Sequence, residues 1–446
     1  MRVALRAVAA GLLLMFLASS CAQLPPPRPA APPPVTPPGE KPAAPLAEPG
    51  GETTASLRLE RGAMICVGLA WDVDSLLIDG EALGLGTPGA TDFPSIASPI
   101  KVGSAATGMR FGRGTDPVSV LPVARSDTLW VMARRGLLRW NGKSWRGAFK
   151  IFLNPRGKLT LAEHVPLETY LLGVVPGEIG GLSEDLIEAG RAQAIAARSY
   201  TLFYRGRRAS EGFDLYGTVE DQVYGPVESE RPLATQCVEQ TRGKVALYDG
   251  QPIRANYCST CGGVSAEVWE AWPAAALPYL ESRRDGRRGG EYCESSPQYR
   301  WRERWSEEEF LDNIERFGPA LKLRLPAGGL GDLVDVRAEA RSRSGRVWRL
   351  LVRTTTGDMT IPAYAIRGAL RRGGNPGAIL RSTLFKIDVR RHPVTGRAME
   401  VLASGAGSGH GVGLCQTGAL GMARAGARAE EILQHYYPHI ALERLY

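Results

Sequence analysis

After residue 20 this 446-residue sequence lacks any apolar run long enough to cross a membrane as a helix, so the remainder is expected to be soluble. It lacks an HExxH helix and any serine-protease arrangement, which leaves zincin and triad chemistry without a frame. No nucleic-acid motif occurs, and the front half contains no internal repeat, so neither a nucleic-acid partner nor a solenoid is expected. What remains is globular in composition, 44% apolar and 22% charged, with length for one large or two ordinary domains.

The N-terminus departs from that average. Arg2 and Arg6 precede the apolar run Val8–Leu17, and the small residues Ala18-Ser19-Ser20 lead into Cys21. Residues 1–20 therefore read as a lipoprotein signal peptide with Cys21 lipidated after cleavage, which implies export and a lipid anchor facing the periplasm or cell wall. Removing Arg2 and Arg6 leaves 52 basic against 46 acidic residues, a mildly basic balance suited to anionic wall or lipid surfaces. Residues 21–55 read as a linker: 12 of the 26 residues from Pro25 to Gly50 are proline. Such a segment stays extended and could reach on the order of 80 Å.

Hydrophobic patterning then predicts an α+β protein. Residues 56–140 form a β-rich region, with short runs at Leu57–Leu59, Met64–Leu69, Val118–Val123, Leu129–Met132 and Leu137–Trp140 separated by turn formers. Helices begin near Pro166: Leu167, Tyr170, Leu171 and Val174 share one face, and Pro176-Gly177 is expected to stop that helix. A second, alanine-rich helix starts at Ser183, which places Glu178 on a short connection between two packed helices. Residues 141–446 are read as one mixed helix/strand domain with a β-containing insertion, ending in helices at Leu414–Ala425 and Arg428–Tyr437.

Three constellations could carry chemistry. Glu178 sits among Val174, Val175, Ile179 and Leu182, surroundings that disfavour its ionised form and suit a general acid. Gly405, Gly407, Gly409, Gly411 and Gly413 alternate around His410, a loop that permits unusual backbone angles and close approach of a ligand. Its spacing does not match a dinucleotide fingerprint, and too few residues follow to complete that fold. Cys258-x2-Cys261, with Cys293 further on, offers part of a zinc site, and His435-x3-His439 has spacing for the other half. For an exported chain, disulfides are the competing reading of the same cysteines.

These segments resemble the stage II sporulation protein D family, also called the SpoIID/LytB domain. The matching pieces are LETYLLGVVPGEIG (167–180), EAGRAQAIAARSYTL (188–202), DQVYG (221–225), NYCSTCGG (256–263), VWEAWPAAALPYL (268–280), SGHGVGLCQTGALGMARAG (408–426) and EEILQHYYP (430–438). The resemblance implies a lytic transglycosylase acting on peptidoglycan glycan stripped of its peptides, with Glu178 as the catalytic residue. One carboxyl would protonate the glycosidic oxygen and then deprotonate the sugar's own 6-hydroxyl, giving a 1,6-anhydro product without water or a cofactor. Gln193, Arg198, Tyr224, His410 and Gln416 are implied as groups near the substrate. Cys258 stands where relatives often carry His, which keeps a ligand's character and leaves a structural zinc open. Gly180-Gly181-Leu182 replaces a stretch that usually contains Pro and Trp. The alternative from another class is a non-catalytic wall-binding protein whose partner is an amidase.

Overall fold

A computed structural model describes residues 63–87, 93–105, 108–114, 128–287 and 289–446. The leader 1–20, Cys21, the linker 21–55 and the strands expected at Leu57–Leu59 and Val118–Val123 lie outside the described residues. The architecture is α+β, as the patterning predicted.

The β-rich front half belongs to one ten-stranded sheet. Its main path runs Leu215–Tyr216, Met64–Val73, Leu159–Pro166, Ala148–Leu153, Leu129–Trp140, Ser75–Gly86, Ile100–Ala105, Gly108–Arg113. The boundary expected between residues 140 and 141 falls inside this sheet, because Leu129–Trp140 pairs directly with Ala148–Leu153.

The chain leaves the sheet into helix α1 (Leu167–Ile179), which buries Leu167, Tyr170, Leu171 and Val174 as their spacing demands. Pro176 does not end it. A proline inside a helix forfeits one backbone hydrogen bond, and here the turn beyond it still buries Ile179. Gly180, at φ 79°, terminates the helix instead. Glu178 therefore projects from the last turn of α1 rather than from a free connection. Helix α2 (Ile187–Tyr204) follows and encloses Ala189, Ala192, Ala194, Ile195, Ala196 and Ala197 completely. Its small side chains admit close neighbours, and α2 is packed by α1 and by α3 (Pro232–Gln240).

Residues 300–406 build a second hydrophobic core of their own, around Trp305, Phe310, Ile314, Leu350, Ile361 and Ile366. Its helices are α4 (Glu307–Phe317) and α5 (Ala363–Leu370). The strand Arg300–Ser306 alternates strictly, turning Trp301, Glu303 and Trp305 inward. This unit grips the first one through Arg346, which donates to the carbonyls of Cys261 (2.9 Å) and Val264 (3.1 Å). The chain then returns to the first core. Leu414–Cys415 pairs in parallel with Tyr257–Cys258, so the start of α6 (Gln416–Arg424) is carried beside the end of α1. Helix α7 (Ala429–Tyr436) packs on α2.

Candidate active site

Two glycines of α1 decide how the site is assembled. A Cβ on Gly173 would lie 2.4 Å from the Gly225 carbonyl oxygen, and one on Gly177 would lie 3.0 Å from that of Val223. Their absence lets the segment 221–225 lie directly on the helix. The Val223 N–H then donates to Glu178 Oε1 at 2.7 Å. From the C-terminal side, Gln416 Nε2 approaches Glu178 Oε2 at 3.3 Å. The phenol of Tyr257 also donates to this carboxyl.

Burial raises the Glu178 pKa above the usual carboxylate value, and the hydrogen bonds from Val223, Gln416 and Tyr257 offset only part of that rise. Tyr257 is itself held well above a normal phenol, by burial first and by the neighbouring Glu178 second, so it is a neutral donor. Gln222 fixes its orientation, donating from Nε2 to the Tyr257 oxygen at 2.9 Å. The Gln222 Oε1 accepts from Tyr170 (3.2 Å) and lies 2.7 Å from Thr201 Oγ1. The side chain of Glu178 is half-buried, and Cβ atoms at Gly180 and Gly181 would meet nothing within 4 Å, so the site opens on that side. The geometry presents one carboxyl of raised pKa, aligned by three donors, at the edge of open space.

The other expected substrate contacts separate into two groups. Gln416 reaches Glu178. His410 lies against Trp272, ring centroids 4.7 Å apart, and its ring donates to the Tyr257 carbonyl while Nδ1 accepts from Val412 N–H at 3.0 Å. Burial, reinforced by Arg367, pushes its pKa down to about 3, so it is a neutral positioning group for Tyr257 at any physiological pH.

Arg198 and Tyr224 spend their polar groups on acids other than Glu178, and Gln193 makes no hydrogen bond to it. Arg198 is fully enclosed and locked to Glu168 by two hydrogen bonds of 2.7 Å. Burial works to raise the Glu168 pKa, but the Arg198 contacts outweigh it and hold that carboxyl below its usual value. Gln193 is equally enclosed, and its amide makes no hydrogen bond among the described residues. The Tyr224 hydroxyl donates to the buried Glu163 at 2.8 Å, and its ring packs on Tyr170. The Arg198 and Tyr224 contacts serve the scaffold. Conversely, Tyr257, Gln222 and the Val223 amide were missed as site groups, although all three lie in motifs that the sequence reading had picked out.

The cysteines are rearranged relative to expectation. All six described ones are free thiols, with Cys261 and Cys293 sulfurs 3.8 Å apart. Cys261, Cys293, Cys415 and Asp285 bring their ligand atoms within 4.8 Å of one another. Cys258 is not in this group; it is a buried thiol whose pKa burial pushes up to about 12. Cys415 and Asp285 complete the set instead. His435 is also outside it, edge-on to Tyr436. Burial and the adjacent Cys293 push Asp285 up to about 8, whereas hydrogen bonds from Cys261 and Cys415 draw the Cys293 thiol far down. Four acids in one dry cluster cannot all ionise without a cation among them. Three cysteine sulfurs and a carboxyl in one cluster are a donor set of the kind that zinc takes. The N–H groups of Cys261 (3.2 Å) and Gly418 (3.3 Å) point at Cys415 Sγ, the outer support that a ligating thiolate receives.

Fold and site together define an α+β protein with a half-buried acid on a helix end. Residues 155–248 match the family model described as Stage II sporulation protein (SpoIID), and residues 288–413 match a domain of unknown function (DUF8618). An uncharacterized protein of Brachyspira hyodysenteriae is 27% identical over 67% of this chain and 72% of its own length. Stage II sporulation protein D of Bacillus subtilis is 26% identical over 62% of this chain and 74% of its own. The amidase enhancer of Bacillus subtilis is 28% identical over 61% of this chain, which spans only 40% of that protein. The chain carries a SpoIID-family domain, and Glu178 lies within it.

Proposed function

We propose that this protein is an exported, lipid-anchored lytic transglycosylase that cleaves peptide-stripped peptidoglycan glycan with Glu178 as acid and then base. The observation that carries the reading is the Glu178 carboxyl: half-buried, raised in pKa, and held by Val223, Gln416 and Tyr257 beside open space. A raised pKa keeps the proton available for the leaving glycosidic oxygen. Once ionised, the carboxylate can remove the proton from the muramic acid 6-hydroxyl, whose oxygen closes onto the anomeric carbon. The glycosidic bond breaks, the anhydro ring forms, and the proton count balances without water. Only one carboxyl is needed, unlike the paired acids of glycoside hydrolysis. Tyr257 stays protonated throughout and steadies the anionic state.

The cysteine cluster fits a structural zinc held by Cys261, Asp285, Cys293 and Cys415, remote in role from the cleavage step. The similarity to an amidase enhancer favours one second reading, a wall-binding protein that assists an amidase. Purified protein and Glu178→Gln, each incubated with peptide-free glycan strands, separate the two. Anhydro-ended fragments from the native protein alone are expected. Binding without fragments from either protein would establish the second reading.

A further inference from the structure

Arg254 is a buried cation without an anion. Its side chain is only 7% exposed, its Nε donates to Asn256 Oδ1 at 3.0 Å, and it forms no ion pair among the described residues. The guanidinium lies over two aromatic rings, 5.0 Å from the centroid of Trp272 and 5.7 Å from that of Tyr204. Its two outer nitrogens make no hydrogen bond to the described residues. Two further cations, Arg346 and Arg367, act with it on His410, and both are bonded to backbone carbonyls rather than to acids. A largely buried guanidinium whose fork has no acid partner among the described residues is a ready site for a ligand carboxylate.

The contacts around Arg254 lead back to Glu178. Trp272 lies against His410, and His410 is anchored on the Tyr257 backbone. On the other side, Tyr204 stacks on Tyr200 at 4.5 Å, and Tyr200 faces Tyr257 at 6.0 Å. Tyr257 donates to Glu178. Along the chain, Arg254 precedes Tyr257 by three residues, at most about 10 Å. The cation is thus tied to the partner of the proton donor both along the chain and through ring contacts on either side, with the half-buried Trp272 beside it.

The glycan backbone of peptidoglycan is uncharged apart from one group. The lactyl ether of muramic acid ends in a carboxylate when the stem peptide has been removed, and in a neutral amide when it has not. We propose that Arg254 receives this lactyl carboxylate and thereby selects peptide-stripped strands. The inference rests on the glycan reading of the Glu178 site but not on cleavage. A fork of two N–H groups matches a carboxylate and not an amide carbonyl. Trp272 and Tyr204 hold that fork in place.

The test is a binding comparison in full-length Glu178→Gln protein, which removes turnover. Its probes are peptide-free glycan strands, the same strands carrying stem peptides, and chitotetraose, which has no lactyl group. Peptide-free strands are expected to bind about 10- to 100-fold more tightly than the other two. Adding Arg254→Gln should abolish that preference while leaving the protein folded and its chitotetraose affinity unchanged, and Arg254→Lys should keep part of it. A preference that survives Arg254→Gln overturns the proposal, as does equal loss of all three ligands. If the Glu178→Gln protein binds none of the probes, the glycan reading fails and takes this inference with it. If it binds but the native protein yields no anhydro ends, only the cleavage reading is lost.

Discussion

Glu178 is held in a way that costs stability. Its folded pKa is raised, chiefly by burial, above the unfolded value of about 4.3, so the proton favours the folded state. That contribution is complete below the unfolded pKa and is lost as pH rises through the folded one. Above the folded pKa the native protein bears a poorly solvated charge that Glu178→Gln does not. The variant should melt about 2–4 °C higher at pH 7, with the gap closing toward pH 4. Equal melting temperatures at both pH values would contradict the burial argument. For the proposed cleavage the same titration should govern turnover, which is expected to decline as pH rises through the Glu178 pKa, since only the protonated acid can serve the leaving oxygen.

At the scale of elements, the site depends on how closely the segment 221–225 lies on α1. Gly173→Ala would drive a methyl into the Gly225 carbonyl and the Tyr224 ring. A loss of about 1–3 kcal/mol is expected from denaturant unfolding, together with a larger fall in activity than in glycan binding, because the Val223 N–H moves off Glu178. Unchanged unfolding would show that the contact is softer than described. The α1 face was legible because Leu167, Tyr170, Leu171 and Val174 repeat with the helical period. Its end was not, since burial of Ile179 overrides the single hydrogen bond that Pro176 removes. Glu178 could be found from its motif, but its partners could not. Tyr257 and Gln416 meet it through a two-residue parallel pairing that leaves no local pattern. Arg198 misled for the same reason: Glu168, thirty positions earlier, claims its charge.

For the whole molecule, the expected α+β class and the β-containing insertion were legible from alternating runs after residue 300. The insertion's separate core was not, because patterning does not say which strands share an interior. The cysteine cluster joins the loop at Cys261, the segment 285–293 before the insertion, and Cys415 after it. A metal there would fasten the insertion's entry and exit to the first core. The purified protein should contain about one zinc per chain, and chelation should remove on the order of 4 kcal/mol of stability. Cys415→Ser should lose the metal, whereas Cys258→Ser should keep it. Metal retained by Cys415→Ser, or a melting temperature indifferent to chelator, would exclude the cluster as a zinc site.

The Gln416 amide meets the Glu178 carboxyl across 238 positions of sequence. A chain still emerging from the ribosome holds one half of that pair before the other. Assembly of the acid with its alignment partner is thereby deferred until the segment around Gln416 has been delivered.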